Sequence, residues 1–200
     1  WRISGDFWDH WDKLNHQFDL FEQWSKAGAT GPGHYPDGDM IPFGSVRSQS
    51  GGDRHMSHFT HDEEMVLLSL WSLESSPLIL GDNLPEDDAA TTLLLSNDEV
   101  IAIDQDPLAS PAQKVSSKAG LEVWVKKLKD GSKAIGLFNR SEQDASITLE
   151  WKEAKLSGKQ FLRDLWQRKD IGEFTQSFSS PVPKHAVVLL KVIASSSKLN

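Results

Sequence analysis

The chain has 200 residues, with 21 Lys and Arg against 29 Asp and Glu, giving a formal net charge of −8. That balance excludes the cationic face a nucleic-acid binder needs to displace counterions from phosphate, and the absence of Cys excludes disulfide scaffolds, thiolate metal sites and cysteine nucleophiles. Hydrophobic residues at 38% and charged residues at 25% suit an ordinary globular protein, and no apolar run approaches the ~20 residues of a membrane helix.

The chain starts at Trp1 with no start residue or signal pattern, which leads us to expect a piece of a longer protein. WRISGD (residues 1–6) reads as a short strand running into a Gly-Asp turn. From Phe7 to Trp24, apolar residues at 7, 8, 11, 14, 18, 20, 21 and 24 recur mostly three or four apart, which predicts an amphipathic helix. Gly28 to Gly44 is rich in Gly and Pro and reads as a loop at a strand end. Residues 45–58 are polar, with paired glycines, and are expected to be irregular.

Thr60 and Glu63 form a capping box for a helix to about Ser75. Its apolar residues, Trp71 among them, are expected to pack in the core. PLIL (77–80) has the look of a strand buried on both faces in a parallel sheet. Pro85 is expected to open a helix through Leu95, with Ser96 and Glu99 as a second capping box before Val100–Ile103. Helix, buried strand, loop and helix in succession predict an α/β arrangement with crossover connections.

Beyond Pro111 the period changes to two. Leu121, Val123, Val125 and Leu128 alternate, Asp130-Gly131 makes a turn, and 134–139 returns. Further strands are expected at 146–151, 161–166, 174–178 and 186–193. We therefore expect two units: residues 1–112 as α/β and residues 113–200 as an all-β sandwich. Trp124, Trp151 and Trp166 are expected to pack its core rather than bind carbohydrate.

Three groups of residues carry candidate chemistry. Arg2 and Asp6 stand at a strand-to-helix junction, where the loops of α/β barrels build active sites; a plain salt bridge is the alternative. Trp1 and Trp8 offer flat faces of the kind that stack on sugars. Asp37 and Asp39, in GHYPDGDM, could hold sugar hydroxyls, position an arginine or bind Ca²⁺, although the ligand pattern of an EF-hand is absent. One of the two could equally be structural. His55, His58 and His61 recur every third residue beside Asp62; they straddle a loop and a helix start, and are read as solvated or capping rather than as metal ligands.

WRISGD, GPGHYPDGDM, the SHFTHDE…LWSLESSPLILG stretch and NDEVIAIDQDP, in that order, resemble glycoside hydrolase family 27, the α-galactosidases and α-N-acetylgalactosaminidases. The resemblance covers nearly the whole chain, strongly to residue 111 and more loosely beyond. It implies the carboxy-terminal half of a (β/α)₈ TIM barrel, from about its sixth strand, followed by an antiparallel β-sandwich. By resemblance, Asp6 matches the catalytic acid/base and Arg2 the arginine touching sugar hydroxyls. Asp39 and Met40 fall in the motif after the seventh strand, where Met borders the sugar pocket and acids such as Asp37 and Asp39 support it. The departures are Tyr35-Pro36, where better-known members have Trp-Asn, and Gly38, where they have Pro; the variant looks like the bacterial branch.

The implied reaction is retaining hydrolysis of a terminal α-linked galactose-type sugar, without cofactor or metal. Its two carboxylates should stand about 5–5.5 Å apart, and the acid/base pKa should be raised by its surroundings and the nucleophile. In the family the nucleophile lies on the fourth strand, upstream of Trp1, so these 200 residues alone are expected to be inactive. The expected partners are a carbohydrate substrate and the preceding half of the same chain, with exposed apolar surface where that half docks. Neither nucleic acid nor membrane is expected. A secreted or periplasmic location fits. A carbohydrate-binding protein that kept the fold and lost the chemistry is the alternative.

Overall fold

The computed structural model describes residues 1–47 and 51–195. Three extended segments lie side by side in parallel at its amino end. Arg2 pairs with Asp37, and Ile41 with Leu80. The Ile3 N–H donates to Asp37 O at 2.9 Å, Asp37 N–H to Trp1 O at 2.8 Å, Ile41 N–H to Ile79 O at 2.7 Å and Gly81 N–H to Ile41 O at 2.9 Å. Parallel neighbours need crossovers. Helix α1 (Trp11–Lys26) links the first two segments and α2 (His61–Glu74) links the second to the third.

Helix α1 starts four residues later than its apolar pattern suggests. Phe7 and Asp9 are held outside it, Phe7 by its N–H donating to Asp39 Oδ2 at 2.9 Å, and Asp9 by bonds from the segment ahead of α2. Helix α2 opens on the expected capping box: Thr60 Oγ1 accepts from the Glu63 N–H and the Glu63 carboxylate accepts from the Thr60 N–H. It is closed by Ser75 in the left-handed conformation. Apolar residues ring it, so it is buried on nearly all sides, Trp71 included.

Several expectations change. The PLIL run is extended but not buried on both faces: Ile79 is 54% and Leu80 38% exposed. The Ile41 segment covers only one of its edges. Within residues 45–58, β1 (Ser45–Arg47) pairs antiparallel with β2 (Arg54–Met56); residues 48–50 lie outside the described set. Pro85 opens only a 3₁₀ turn, Leu84–Glu86. Helix α3 (Ala89–Leu95) begins afresh where Asp88 Oδ1 accepts from the Thr91 N–H at 2.8 Å. Helix α4 (Asp98–Asp104) is capped by Asn97, not Ser96. Asn97 Oδ1 accepts from the Glu99 and Val100 N–H groups, while Glu99 turns away to grip Arg163 with both oxygens at 2.7 Å.

From residue 113 the chain is antiparallel. Strands β3 (Gln113–Lys118), β4 (Leu121–Lys127), β5 (Lys133–Asn139), β6 (Ala145–Glu150), β7 (Gln160–Asp164), β8 (Lys169–Phe174), β9 (Ser177–Val182) and β10 (Ala186–Ala194) follow. Six of them form one sheet in the order β3-β4-β5-β10-β7-β8, and β6 pairs with β9. β3 was not legible in the alternation. The predicted 174–178 strand instead spans the end of β8, a turn at 175–176 and the start of β9, and Phe174 and Phe178 meet edge to face across it at 5.0 Å.

The central strands of the large sheet are buried on both faces. Val123, Ile135, Leu137 and Leu190 enter a core shared with Ile147 and Leu149 of β6. Trp124, Phe138, Val187 and Leu189 point the other way, into the core of α1 and α2. Trp124 is fully buried and Trp151 is 4% exposed, which settles them as packing residues. Trp166 packs at the edge, its indole N–H donating to Ser69 Oγ at 2.9 Å.

Candidate active site

Arg2 lies on the first parallel segment and Asp6 just beyond its end. Asp37 and Asp39 occupy the second. The Arg2 Nη2 group donates to Asp6 Oδ1 at 2.9 Å and to Asp39 Oδ2 at 2.6 Å. The Asp39 N–H donates to Asp37 Oδ1 at 2.8 Å. Four of the five sequence candidates therefore belong to one hydrogen-bonded group. The fifth, Met40, leans over Gly81 of the third segment: a Cβ on Gly81 would sit 2.5 Å from Met40 Sδ.

Asp39 adopts φ 79°, a left-handed conformation that costs a non-glycine residue of order 1–3 kcal/mol. Three contacts hold it there. Its carboxylate binds Arg2 and the Phe7 N–H, and its carbonyl accepts from the Trp71 indole N–H at 3.2 Å. The Trp71 ring also fills the space above Gly38, where an added Cβ would approach its Cζ2 to 2.5 Å. Gln17 of α1 ties the two segments together from beneath, donating to Ser4 Oγ at 3.0 Å and Gly38 O at 3.3 Å.

The group is open to solvent. The side chains of Asp6 and Arg2 are 68% and 39% exposed, that of Asp39 22%. Asp6 thus lacks the burial that the acid/base expectation placed around it, and it has a cation for a neighbour. Of the two stacking candidates, Trp1 is 44% exposed and meets Trp24 edge to face at 5.5 Å, and Trp8 is half-buried.

The three spaced histidines separate. His55 Nε2 stands 3.1 Å and His58 Nδ1 2.7 Å from Asp9 Oδ2, whereas His61 faces Glu64 at 3.8 Å. Asp9, which no spacing rule picks out, is the buried centre of this group. A second unforeseen group lies behind α2, where Lys126 is fully buried and donates to Ser72 O and Ser75 Oγ at 2.8 and 2.6 Å. Burial pushes Glu74 up to about 8 and Asp104 up to about 7, against the pull of the Lys126 cation on both. Burial likewise brings Lys126 down to about 8, opposed by Asp104, Glu74 and Asp106. Its only sequence signal is Trp124 between Glu122 and Lys126, a charged-aromatic-charged face that alternates with the apolar Leu121, Val123 and Val125.

Parallel segments joined by helices, with an arginine and acids gathered at them and an antiparallel sandwich behind, make the carboxy-terminal half of a (β/α)₈ barrel followed by a β-sandwich. Residues 1–106 match the family model described as alpha galactosidase A, and residues 118–192 match the alpha galactosidase C-terminal beta sandwich domain. The chain belongs to the α-galactosidase family, glycoside hydrolase family 27.

It is similar to an alpha-galactosidase of Oryza sativa subsp. japonica, 35% identical over 185 residues that cover 92% of this chain and 41% of the relative. Alpha-galactosidase 2 of Arabidopsis thaliana is 35% identical over 191 residues, 93% of this chain and 44% of the relative. Among solved structures, a β-L-arabinopyranosidase of this family from Geobacillus stearothermophilus superposes with a TM-score of 0.91 at 31% identity, over 98% of this chain and 45% of that one. Alpha-galactosidase I from Mortierella vinacea does so at 0.85 and 26% identity, over 98% of this chain and 53% of that one. The chain thus spans under half the length of the curated relatives named here.

Proposed function

We propose that this chain supplies the acid/base side of a retaining glycosidase acting on terminal α-linked galactose-type sugars, with Asp6 as the proton donor. The observation that carries the reading is the Arg2 guanidinium held between Asp6 and Asp39 at the parallel segments. In this reading a carboxylate from the barrel strands preceding Trp1 attacks the anomeric carbon. The Asp6 carboxyl gives its proton to the glycosidic oxygen as the C–O bond breaks. Water then attacks the glycosyl-enzyme ester, passing a proton to the Asp6 carboxylate and freeing the nucleophile. Arg2 fixes the direction of the Asp6 carboxyl and offers donors to adjacent hydroxyls, with Asp37 and Asp39 holding it in place. Met40 borders the pocket.

The partner segment is the preceding half of the barrel, which also covers the exposed Ile79 and Leu80. The reading divides the chain at residues 112 and 113. The net charge of −8 favours a neutral glycan over a polyanion, and hydrolysis by two carboxylates uses no cofactor. The sugar identity is tested with aryl α-D-galactoside, α-N-acetylgalactosaminide and β-L-arabinopyranoside, offered to the parent chain and its Asp6→Asn variant. Turnover of one of them that falls by 10³-fold or more in the variant is expected. A folded parent chain that binds sugar and turns over none of them would establish a carbohydrate-binding protein instead.

A further inference from the structure

We propose that Asp9, His10 and His58 form a site for a borderline transition-metal dication, with Zn²⁺ as the representative. Asp9 and His10 stand at the mouth of α1, and His58 stands two residues ahead of the Thr60 cap of α2. Donor atoms from the three side chains all lie within 4.8 Å of one another, and His58 Nδ1 stands 2.7 Å from Asp9 Oδ2. In a tetrahedral zinc site, with bonds of about 2.0–2.2 Å, donor atoms stand roughly 3.3–3.5 Å apart. The observed separations bracket that value, so small side-chain rotations admit an ion.

The chemistry of the set points to the same class. Two imidazoles and one carboxylate suit zinc, nickel, cobalt or copper; calcium and magnesium prefer all-oxygen shells. The Asp9 side chain is 3% exposed, and its Oδ2 is aimed by the His58 N–H at 2.8 Å and by His55 Nε2 at 3.1 Å. His55 therefore serves as an outer partner that fixes the carboxylate. The two imidazoles are exposed and stack at 11° with centroids 5.4 Å apart. His10 is free for this role, since its side chain makes no capping bond to α1. Three protein donors leave a fourth position for water. A bound ion would pin the start of α1 to the segment before α2, three residues beyond Asp6.

The test uses the parent chain without a polyhistidine tag, stripped with EDTA, then titrated with ZnCl₂ by calorimetry and with CoCl₂ by visible absorption. One equivalent of Zn²⁺ is expected, with a rise in Tm and the intense bands of low-coordinate cobalt. Affinity should fall at least tenfold in His10→Ala and in His58→Ala, both exposed positions that leave the core untouched. His61→Ala, outside the group, should bind as the parent does. No binding, or equal affinity in the His10 and His58 variants, would overturn the site and leave a hydrogen-bonded histidine–aspartate cluster in its place. An equal loss in His61→Ala would overturn it as well.

Discussion

Arg2 and Asp39 are 37 positions apart in sequence and 2.6 Å apart in space, and the same Arg2 nitrogen reaches Asp6 at 2.9 Å. A residue of the first parallel segment thus aims its own downstream acid by leaning on the second segment. Because Arg2 is 39% exposed, solvent screens the pair and its worth to folding is small, under ~1 kcal/mol. Its effect on geometry is another matter. Misplacing a reacting group by about 1 Å can cost on the order of 10²-fold in rate.

In the proposed acid/base reading, Arg2→Ala in the parent chain should therefore lower kcat/KM by about 10²-fold, with little change in Tm. Asp39→Asn keeps an acceptor for the Phe7 N–H and removes the charge facing Arg2, so a smaller loss, about tenfold, is expected. Steady-state kinetics beside thermal melts decide the matter. Equal losses of stability and activity would mean that the pair is merely structural.

Glu74 controls a pH dependence of stability. Burial raises its folded pKa from 4.5 to about 8, so between those values the folded chain holds a proton that the unfolded chain releases. Its contribution is full below pH 4.5 and is lost as pH rises through 8. Asp104 and Glu64, each raised to about 7 chiefly by burial, act in the same direction. Lys126 acts oppositely at higher pH: its folded pKa of about 8 lies below 10.5, so stability recovers between those values. Glu74→Gln mimics the protonated form. Its Tm advantage over the parent should grow by several degrees from pH 5 to pH 8, and parallel curves would sink the assignment.

Gly38→Ala should disturb the segment that carries Asp39 from below. The new methyl would meet the Trp71 indole at 2.5 Å and Phe21 at 2.9 Å. Overpacking of this kind costs roughly 1–3 kcal/mol, and relief by moving the loop would carry Asp39 away from Arg2. Urea denaturation should show the loss of stability, and kcat/KM should fall with it. A variant that keeps both would show that the Trp71 ring can yield.

Arg140 joins the sandwich to α1. Its guanidinium donates to Asn15 Oδ1 at 2.6 Å, to Asn15 O at 2.9 Å and to Glu122 Oε1 at 2.9 Å, and lies 4.6 Å over the Phe18 ring. Arg140→Met leaves the buried Glu122 carboxylate short of its main cation, and a loss of roughly 2–4 kcal/mol is expected. Adding Glu122→Gln should restore part of it. A double-mutant cycle with no coupling between the two positions would refute the link.

The sequence showed α2 through its capping box and most of the sandwich strands through their period of two. It misread Ser96 as a cap because its offset to Glu99 fits a capping box; Asn97 wins, since its own amide oxygen reaches two N–H groups while Arg163, 64 positions away, takes the Glu99 carboxylate. It missed β3, whose exposed and half-exposed side chains show no alternation. It also overestimated the burial of PLIL, where a wholly apolar run cannot say which faces are covered.

The composition, the four ordered motifs, the residue types of the site and the change from helical to alternating period near residue 112 were determined by the sequence alone. Only the tertiary structure decided that Asp39 rather than Asp37 meets Arg2, that Asp9 gathers His55 and His58, and that Lys126 is buried against the end of α2. Those outcomes depend on directions of side chains brought together across 37 to 54 positions. Local spacing fixes a residue's place along its own element. It leaves open what the packing of another element will set opposite it.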